Sequence, residues 1–133
     1  MDIKTKFDFL ISDYGLTYRH QRFNNCYGGH WKVETYSFYN DSGCFTIYFE
    51  IQRGIDFWYA SEFCSDYEKL CEKEIDISIM EPQIWNKYEK IWIFKRPFFW
   101  WNNSKVLSVL AEVLKIHLSK NQEFFGVRID KTV

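Results

Sequence analysis

Two alternating runs of residues joined by a turn signal are the feature that most constrains the fold of this chain. From residue 31 to 38 the side chains alternate between two faces that both carry large residues, and the run 44–51 alternates between an apolar face and one made of Thr46, Tyr48 and Glu50. A period of two is typical of β-strands, and Asn40-Asp41-Ser42-Gly43 between the runs is a hairpin signal. The pattern predicts an antiparallel hairpin whose second strand has one buried face and one solvent-exposed face.

Further extended segments flank this hairpin. Residues 16–23 are predicted to be extended, and residues 24–29 have the composition of a loop. A turn at Gln52-Arg53-Gly54 precedes another aromatic strand over residues 55–63. We therefore expect three or four hairpin-linked strands that form an antiparallel meander.

Amphipathic helices are predicted at both ends of the chain. A helix over about residues 2–14, with Asp2 as N-cap and Gly15 as a left-handed C-terminal residue, is indicated by an apolar stripe of Ile3, Phe7, Leu10, Ile11 and Tyr14. A helix capped by Asn103 or Ser104 has a broad apolar face made of Val106, Leu107, Leu110, Val113, Leu114 and Leu118. The predicted fold class is α+β: a single domain, residues 1–133, with an antiparallel meander sheet of about four to six strands packed against an N-terminal and a C-terminal helix.

The segments between these elements give weaker signals. Ser65-Asp66 is a suitable cap for a short helix that holds Tyr67, Leu70 and Cys71. Residues 75–79 alternate as a short strand would, Pro82 suits the first turn of a helix over residues 82–91, and Pro97 interrupts regular structure. Residues 124–129 are apolar enough to form a final strand.

The sequence favours a cytoplasmic protein. Charged residues interrupt the first ten positions, so they do not resemble a secretory signal. The most apolar stretches, 91–94 and 97–101, are far shorter than the roughly 20 residues that cross a bilayer. The four cysteines show neither a C-x-x-C pair nor the density of a disulfide framework, and we expect free, mostly buried thiols.

Charge is distributed unevenly along the chain, although the formal net charge is only −1. Residues 50–81 hold nine acidic and three basic residues, a net of −6, whereas residues 82–133 hold four acidic and nine basic residues, a net of +5. An acidic surface repels nucleic acid and attracts basic proteins. The folded surface could also mix the two blocks, in which case the asymmetry would mean little.

Motifs that carry enzymatic chemistry are missing from the sequence. It contains no nucleophile elbow, no H-E-x-x-H and no phosphate-binding G-x-x-x-x-G-K-[ST]. His20 lies in the basic patch 19–22, which is typical of a solvated strand, and Cys26 with His30 forms at most half of a metal site or a thiol with its base. We expect no enzyme activity, no catalytic residue, no metal and no cofactor.

The 28 aromatic residues allow two interpretations. Aromatic side chains on a sheet can stack single-stranded bases when basic groups lie nearby. The slightly negative net charge and the absence of a ribonucleoprotein motif favour the other interpretation, in which most aromatics form the core and a few anchor a protein interface. We expect neither nucleic acid nor a membrane as a partner.

The layout of the chain resembles a known type of protein. A helix containing Phe7-Asp-Phe-Leu10 ends in Tyr14-Gly15-Leu16, and the aromatic run Tyr36-Ser-Phe-Tyr-Asn40 leads into Cys44-Phe-Thr-Ile-Tyr-Phe-Glu50, before an acidic middle. These features resemble the small uncharacterised bacterial immunity proteins that accompany polymorphic or contact-delivered toxins. The resemblance spans most of the chain, includes no diagnostic motif and transfers no binding residue.

The resemblance implies a non-catalytic protein that neutralises a cognate bacterial toxin by occluding it. From the charge and aromatic patterns, we expect a basic toxin domain to meet Glu50, Asp56, Trp58, Tyr59, Glu62, Asp66, Glu68, Glu72 and Glu74. One alternative is a small-molecule or peptide binding module whose aromatic pocket is lined by Phe98, Phe99, Trp100 and Trp101. A small enzyme that uses Cys26 and His30 is the remaining alternative.

Overall fold

The computed structural model describes residues 3–26, 31–50, 54–76, 80–84, 86, 103–121, 123–124 and 127–128. One antiparallel sheet has the strand order β1-β2-β3-β4-β5, with strands β1 (Thr17–Cys26), β2 (Trp31–Asn40), β3 (Gly43–Glu50), β4 (Gly54–Ala60) and β5 (Lys73–Ile75). The α-helices are α1 (Ile3–Lys6), α2 (Phe9–Ser12) and α3 (Asn103–Asn121), and a 3-10 helix spans Tyr67–Leu70. These elements confirm the predicted α+β class and the meander.

The predicted hairpin forms at the expected turn. Asn40 pairs with Gly43, and the Asn40 Oδ1 atom accepts hydrogen bonds from the Ser42 N–H (2.8 Å) and the Gly43 N–H (3.2 Å). An asparagine that bonds the backbone two residues ahead stabilises such a turn locally. The turn therefore sets the register in which eight residue pairs of β2 and β3 face each other.

The N-terminal segment is helical, but it is not one regular α-helix. Between α1 and α2, the Asp8 and Leu10 N–H groups bond carbonyls three residues back, which tightens the backbone at Phe7-Asp8. The predicted stripe is buried, except that Ile11 is partly exposed, and the Phe9 side chain is buried as well. Gly15 has a φ of 68°, which confirms the predicted left-handed position, while Asp2 lies outside the described residues.

The helices cover the first face of the sheet, where the larger apolar core lies. Phe7 packs against Phe38 and Phe45 with ring centroids 6.2 Å apart in each pair, and Phe45 stacks on Phe57 at 5.9 Å. Below α3, the predicted apolar face is buried at Leu107, Leu110, Val113, Leu114 and Leu118, whereas the Val106 side chain is not described. The Lys6 ammonium donates a hydrogen bond of 2.6 Å to the Ser108 hydroxyl, which links α1 to α3.

The expectation that the second face of β3 would be solvent-exposed is wrong. Thr46, Tyr48 and Glu50 are buried at 0%, 4% and 8% exposure. Residues 61–72, here called the cover segment, lie across this face: Tyr67 packs near Tyr48 at 6.4 Å, and other contacts join Phe23 to Tyr67 and Tyr39 to Phe63. The central strands β2 and β3 are therefore covered on both faces, because apolar side chains on the second face also need a layer above them.

Two predicted strand boundaries differ from the structure. β1 continues through the predicted loop to Cys26, which pairs with Trp31 after a register irregularity beyond Phe23. β4 ends at Ala60, not at Phe63, since the Ser61 N–H bonds the Glu72 carboxylate and directs the chain away from the sheet.

The other predicted elements are described only in part. The short helix capped by Asp66 is present as the 3-10 helix, residue 75 ends β5, and residues 82–84 are helical. The C-terminal segment pairs Glu123–Phe124 (β6) with Val127–Arg128 (β7) as a separate small hairpin, in place of one continuous strand. Residues 51–53, 77–79, 85 and 87–102, with the predictions made for them, lie outside the described residues.

Candidate functional site

The cover segment and the strands beside it place many carboxylates on one side of the sheet. Between residues 54 and 76 the chain has seven acidic and two basic residues. We call the exposed carboxylates predicted for partner binding the acidic surface, which consists of Asp56, Glu62, Asp66, Glu68, Glu72 and Glu74. Alternating residues of a strand point to opposite faces, and the observed register puts Asp56, Trp58 and Glu74 on the face that the cover segment occupies.

Negative charge is crowded on this surface. Burial and the nearby Glu50 carboxylate raise the pKa of Asp56. Burial, followed by the charges of Asp56 and Glu68, raises the pKa of the Cys71 thiol to about 11. Asp56 on β4 and Glu68 on the cover segment thus act on the same thiol, which shows that carboxylates distant in sequence come together. Cys71 is consequently protonated at neutral pH, as expected of a structural thiol rather than a nucleophile.

Two members of the acidic surface hold the cover segment in shape. The Glu72 carboxylate accepts hydrogen bonds from the Ser61 N–H (2.8 Å) and the Ser61 hydroxyl (3.2 Å), which joins the two ends of the segment. The Asp66 Oδ1 atom accepts a hydrogen bond of 3.0 Å from the Glu68 N–H and caps the 3-10 helix. These carboxylates remain exposed, so they combine a structural role with a place on the surface.

Three exposed carboxylates of the surface form no ion pair with a side chain that the structure describes, although Lys69 and Lys73 are neighbours of two of them in sequence. No Lys, Arg or His side chain in those ranges forms an ion pair with Glu62, Glu68 or Glu74. The two lysines of the stretch, Lys69 and Lys73, therefore leave its negative charge largely uncompensated. An uncompensated cluster of like charges creates a field that attracts cationic partners.

The structure separates some residues that the sequence grouped. Glu50 is buried at 8% exposure, so it does not belong to the exposed surface. Trp58 packs with Val33 and Tyr48 on the second face, while Tyr59 packs with the core on the first face. Because neighbouring residues of a strand face opposite ways, the two predicted anchors do not point at the same surface.

A second polar cluster, which the sequence did not reveal, lies on the first face where β1 and β2 pair. Glu34 is its centre: its Oε1 atom is 2.7 Å from Arg22 Nε and 3.4 Å from His20 Nε2, and its Oε2 atom accepts a hydrogen bond of 3.2 Å from the Tyr36 hydroxyl. The His20 and Tyr36 rings stack with centroids 4.3 Å apart. Burial raises the pKa of Tyr36 to about 12, with the Glu34 charge and its hydrogen bond adding to the rise.

The strand register explains why sequence reasoning missed this cluster. His20 and Arg22 pair with Tyr36 and Glu34 in the sheet, although 12 or more positions separate the charged residues along the chain. The residues between the two strands give no tight-turn signal that would fix the register. Only the combination of His20, Arg22 and Glu34 as alternating polar residues on adjacent strands could have suggested it.

A third charged cluster fastens residues 80–84 to α3. The Glu81 side chain, buried at 7% exposure, accepts a hydrogen bond from the Lys120 ammonium, and its other oxygen is 3.9 Å from His117 Nδ1. A buried carboxylate of this kind is stabilised by cationic partners. We interpret the cluster as a structural contact.

An open groove of about 420 Å³ lies between the N-terminal helices and α3. Its floor includes Phe9 and Ala111, and Lys6, Glu112 and Lys115 are on its rim. The predicted aromatic pocket at residues 98–101 and the residue His30 lie outside the described residues, and for Cys26 the structure describes only the backbone. Cys44, Cys64 and Cys71 are free thiols, of which Cys44 is buried.

Comparisons with known proteins identify no relative of this chain. No protein-family model, no curated protein and no solved structure matches it. Among the described helices, none is long and apolar enough to cross a membrane.

Proposed function

We propose that this protein is a non-catalytic binding protein whose acidic surface binds a basic protein partner in the cytoplasm. The observation that supports this proposal most strongly is that Glu62, Glu68 and Glu74 are exposed and form no ion pair with any base that the structure describes. Charges that are left uncompensated in the free protein are available to a cationic partner without breaking an existing ion pair.

The cover segment, which carries much of the acidic surface, is held in place by several contacts, and this suits a role in recognising a partner. The cover segment is fixed to the sheet by aromatic contacts such as Phe23–Tyr67 at 4.9 Å and Tyr39–Phe63 at 4.4 Å. Glu72 and Ser61 close its ends with two hydrogen bonds. A surface that is already ordered loses little conformational entropy on binding, and this favours tight association.

We further propose that the partner is a bacterial toxin domain and that the protein is its immunity protein, which acts by occlusion. The layout of the chain, which resembles such proteins, is the support for this step. Steering by complementary charge raises association rates, which benefits an inhibitor that must capture a toxin before the toxin acts. Trp58, half-buried in the cluster that Val33 and Tyr48 form on the second face, is the aromatic anchor that we propose, and Tyr59 is not.

Co-purification tests this proposal. The tagged protein is expressed together with the product of the adjacent reading frame, both as wild type and as the triple variant Glu62→Lys, Glu68→Lys, Glu74→Lys. We expect the wild type to retain the neighbouring protein and the variant to lose it, because three reversals turn the attraction into repulsion. Growth of cells that express the neighbour should depend on the wild-type protein and fail with the variant.

A control variant separates surface position from total charge when it is compared with the single variant Glu68→Lys, because each of the two changes the net charge by the same amount. Glu112 is an exposed carboxylate on α3, which packs on the opposite face of the sheet, so Glu112→Lys alters charge away from the acidic surface. This control should still retain the partner. Capture of the neighbouring protein by the triple variant as well as by wild type would refute the acidic surface, and no capture by either would refute the pairing with that neighbour.

A further inference from the structure

The two edges of the sheet differ greatly in length. β5 has three residues, while β1 has ten and keeps a regular register with β2 from Thr17 to Phe23. Among the described residues, no strand pairs with β1 on the side away from β2. Edge strands that are long and regular offer backbone N–H and C=O groups to an additional strand.

The edge of β1 away from β2, which pairs with no strand of the described residues, is bordered by an arginine on each face of the sheet, with His20 beside one of them. Alternation places Arg19 on the second face, where it lies over the Phe63 ring at 5.6 Å, and places His20 and Arg22 on the first face. The Arg22 side chain is 75% exposed, and its only described contact is the one between Nε and Glu34. Its terminal N–H groups remain available for a second carboxylate.

The contact between Arg22 and Glu34 shows how a carboxylate on a neighbouring strand binds this guanidinium. Glu34 is directly across the strand pair from Arg22, at the position where opposite charges stabilise neighbouring strands. A strand on the other side of β1 would have residues at the equivalent distance from His20 and Arg22. An acidic residue on that added strand would bind the terminal N–H groups of Arg22 that Glu34 does not contact.

We propose that the edge of β1 from Arg19 to Phe23 is a docking site for an extended acidic segment of a partner protein, which binds as an additional strand. A second copy of this chain is disfavoured as the occupant, because an antiparallel pair of β1 strands centred on residue 21 or 22 would bring the Arg22 side chains of the two copies together on one face of the sheet. The occupant therefore carries Asp or Glu at alternate positions that face His20 and Arg22. The cover segment approaches this edge on the second face, with Phe63 at Arg19 and Tyr67 at Phe23, whereas His20 and Arg22 lie on the first face.

A designed peptide tests the site directly. The probe is a capped peptide of about seven residues in which glutamate alternates with valine or threonine, and the full chain is titrated with it at about 0.1 M salt. We expect binding in the micromolar to millimolar range, with slower amide hydrogen exchange at alternate residues between Arg19 and Phe23. The same peptide with N-methyl groups on alternate amides should bind about tenfold more weakly or worse, because it keeps the charge but cannot pair along its backbone.

Variants of the protein test whether binding of the peptide requires the positive charge of Arg22. Arg22→Glu should weaken binding of the peptide at least about tenfold, because it replaces attraction by repulsion at a close cross-strand position. Lys69→Glu makes the same change of charge on the cover segment and should have little effect. Arg22 is mostly exposed, so its variant should fold, and the amide exchange of β2 and β3 checks this.

The results that overturn the proposal are distinct. Equal binding of the N-methylated and unmodified peptides would show attraction by charge alone, and the absence of binding at about 1 mM would refute the site. Equal binding of the glutamate peptide and a lysine counterpart would refute the acidic occupant. The triple variant of Glu62, Glu68 and Glu74 should bind the peptide as wild type does, so failure of the edge site and failure of the proposed function can be told apart.

Discussion

Carboxylates in this protein differ in role according to the groups that surround them. Glu34 contacts Arg22, His20 and Tyr36 and is the centre of a cluster on the first face. Glu68 forms no ion pair in the described ranges, and its charge helps raise the pKa of Cys71. Neither residue lies in a recognisable motif, so the sequence alone does not distinguish their roles. The contacts across the sheet, and not the residue type, separate structural carboxylates from candidates for recognition.

Glu34→Gln should lower the pKa of Tyr36. Burial is the largest cause of the value of about 12, and the Glu34 charge comes next, so the variant pKa should fall below about 12 but stay above the ordinary value near 10. The ¹³C chemical shift of the Tyr36 ring during an alkaline titration measures the change. Glu112→Gln, on α3, is the control and should leave the Tyr36 titration as it is in wild type. An unchanged Tyr36 titration in Glu34→Gln would contradict the electrostatic account.

The same pKa makes stability depend on pH in a defined direction. The unfolded tyrosine ionises near pH 10, whereas the folded Tyr36 keeps its proton up to about pH 12. In this window the folded state binds more protons, so the contribution of Tyr36 to the free energy of unfolding is present below pH 10 and is lost as the pH rises through the window. Glu34→Gln should lower the pKa of the folded Tyr36, so the pH range over which this stability is lost should end below about pH 12.

At the scale of elements, the cover segment explains how both faces of the sheet are buried. The alternation of β3 predicts a strand with one polar face, and the polar residues Thr46 and Glu50 are indeed on one face. Residues 61–72 return across this face, as the Tyr48–Tyr67 contact shows, and beneath them the Ser37 and Thr46 hydroxyls bond to each other at 2.9 Å. Polar groups under a covering layer are tolerated when they have such hydrogen-bond partners.

Glu72→Ala should loosen the cover segment without unfolding the sheet. The change removes two exposed hydrogen bonds to Ser61, and we expect a loss of about 0.5–1 kcal/mol in the free energy of unfolding. Amide hydrogen exchange within residues 61–72 should become faster, while exchange in β2 and β3 should change little. Glu74→Ala is the matched control, because Glu74 is an exposed acid of the same region for which the structure describes no hydrogen bond. Equal exchange in the two variants would contradict the closing role of Glu72.

Sequence patterns correctly predicted the elements that are held by contacts between residues close together in the chain. The Asn40–Gly43 turn and Gly15 at the end of the first helical segment form through contacts a few residues apart, and sequence patterns show these well. The cluster around Glu34 depends on the register between distant segments, and Phe7, where the helical backbone tightens, packs on Phe38 and Phe45 of the sheet. A one-residue change of register would move every side chain to the other face, so the sequence pattern could not supply those contacts.

At the scale of the whole molecule, opposite charges occupy different parts of the fold. The acidic surface lies on the cover segment and the β4–β5 side of the sheet. Arg22 lies on the first face at the opposite edge, and Arg19 lies at that edge over Phe63 of the cover segment. The predicted charge asymmetry between chain segments is thus retained on the described surface at residues 54–76. The basic C-terminal block, in contrast, is described mainly within α3, so its place on the surface stays a prediction.

The central claim is that the acidic surface steers a basic partner into place. Its most direct test is the association rate constant with the partner retained in co-purification, measured between about 0.05 and 0.5 M salt by stopped-flow fluorescence. We predict that the wild-type rate constant falls steeply with salt, that Glu112→Lys behaves like wild type, and that the variant with lysine at Glu62, Glu68 and Glu74 associates at least about tenfold more slowly at low salt. Equal rate constants for wild type and the triple variant across that range would contradict the account.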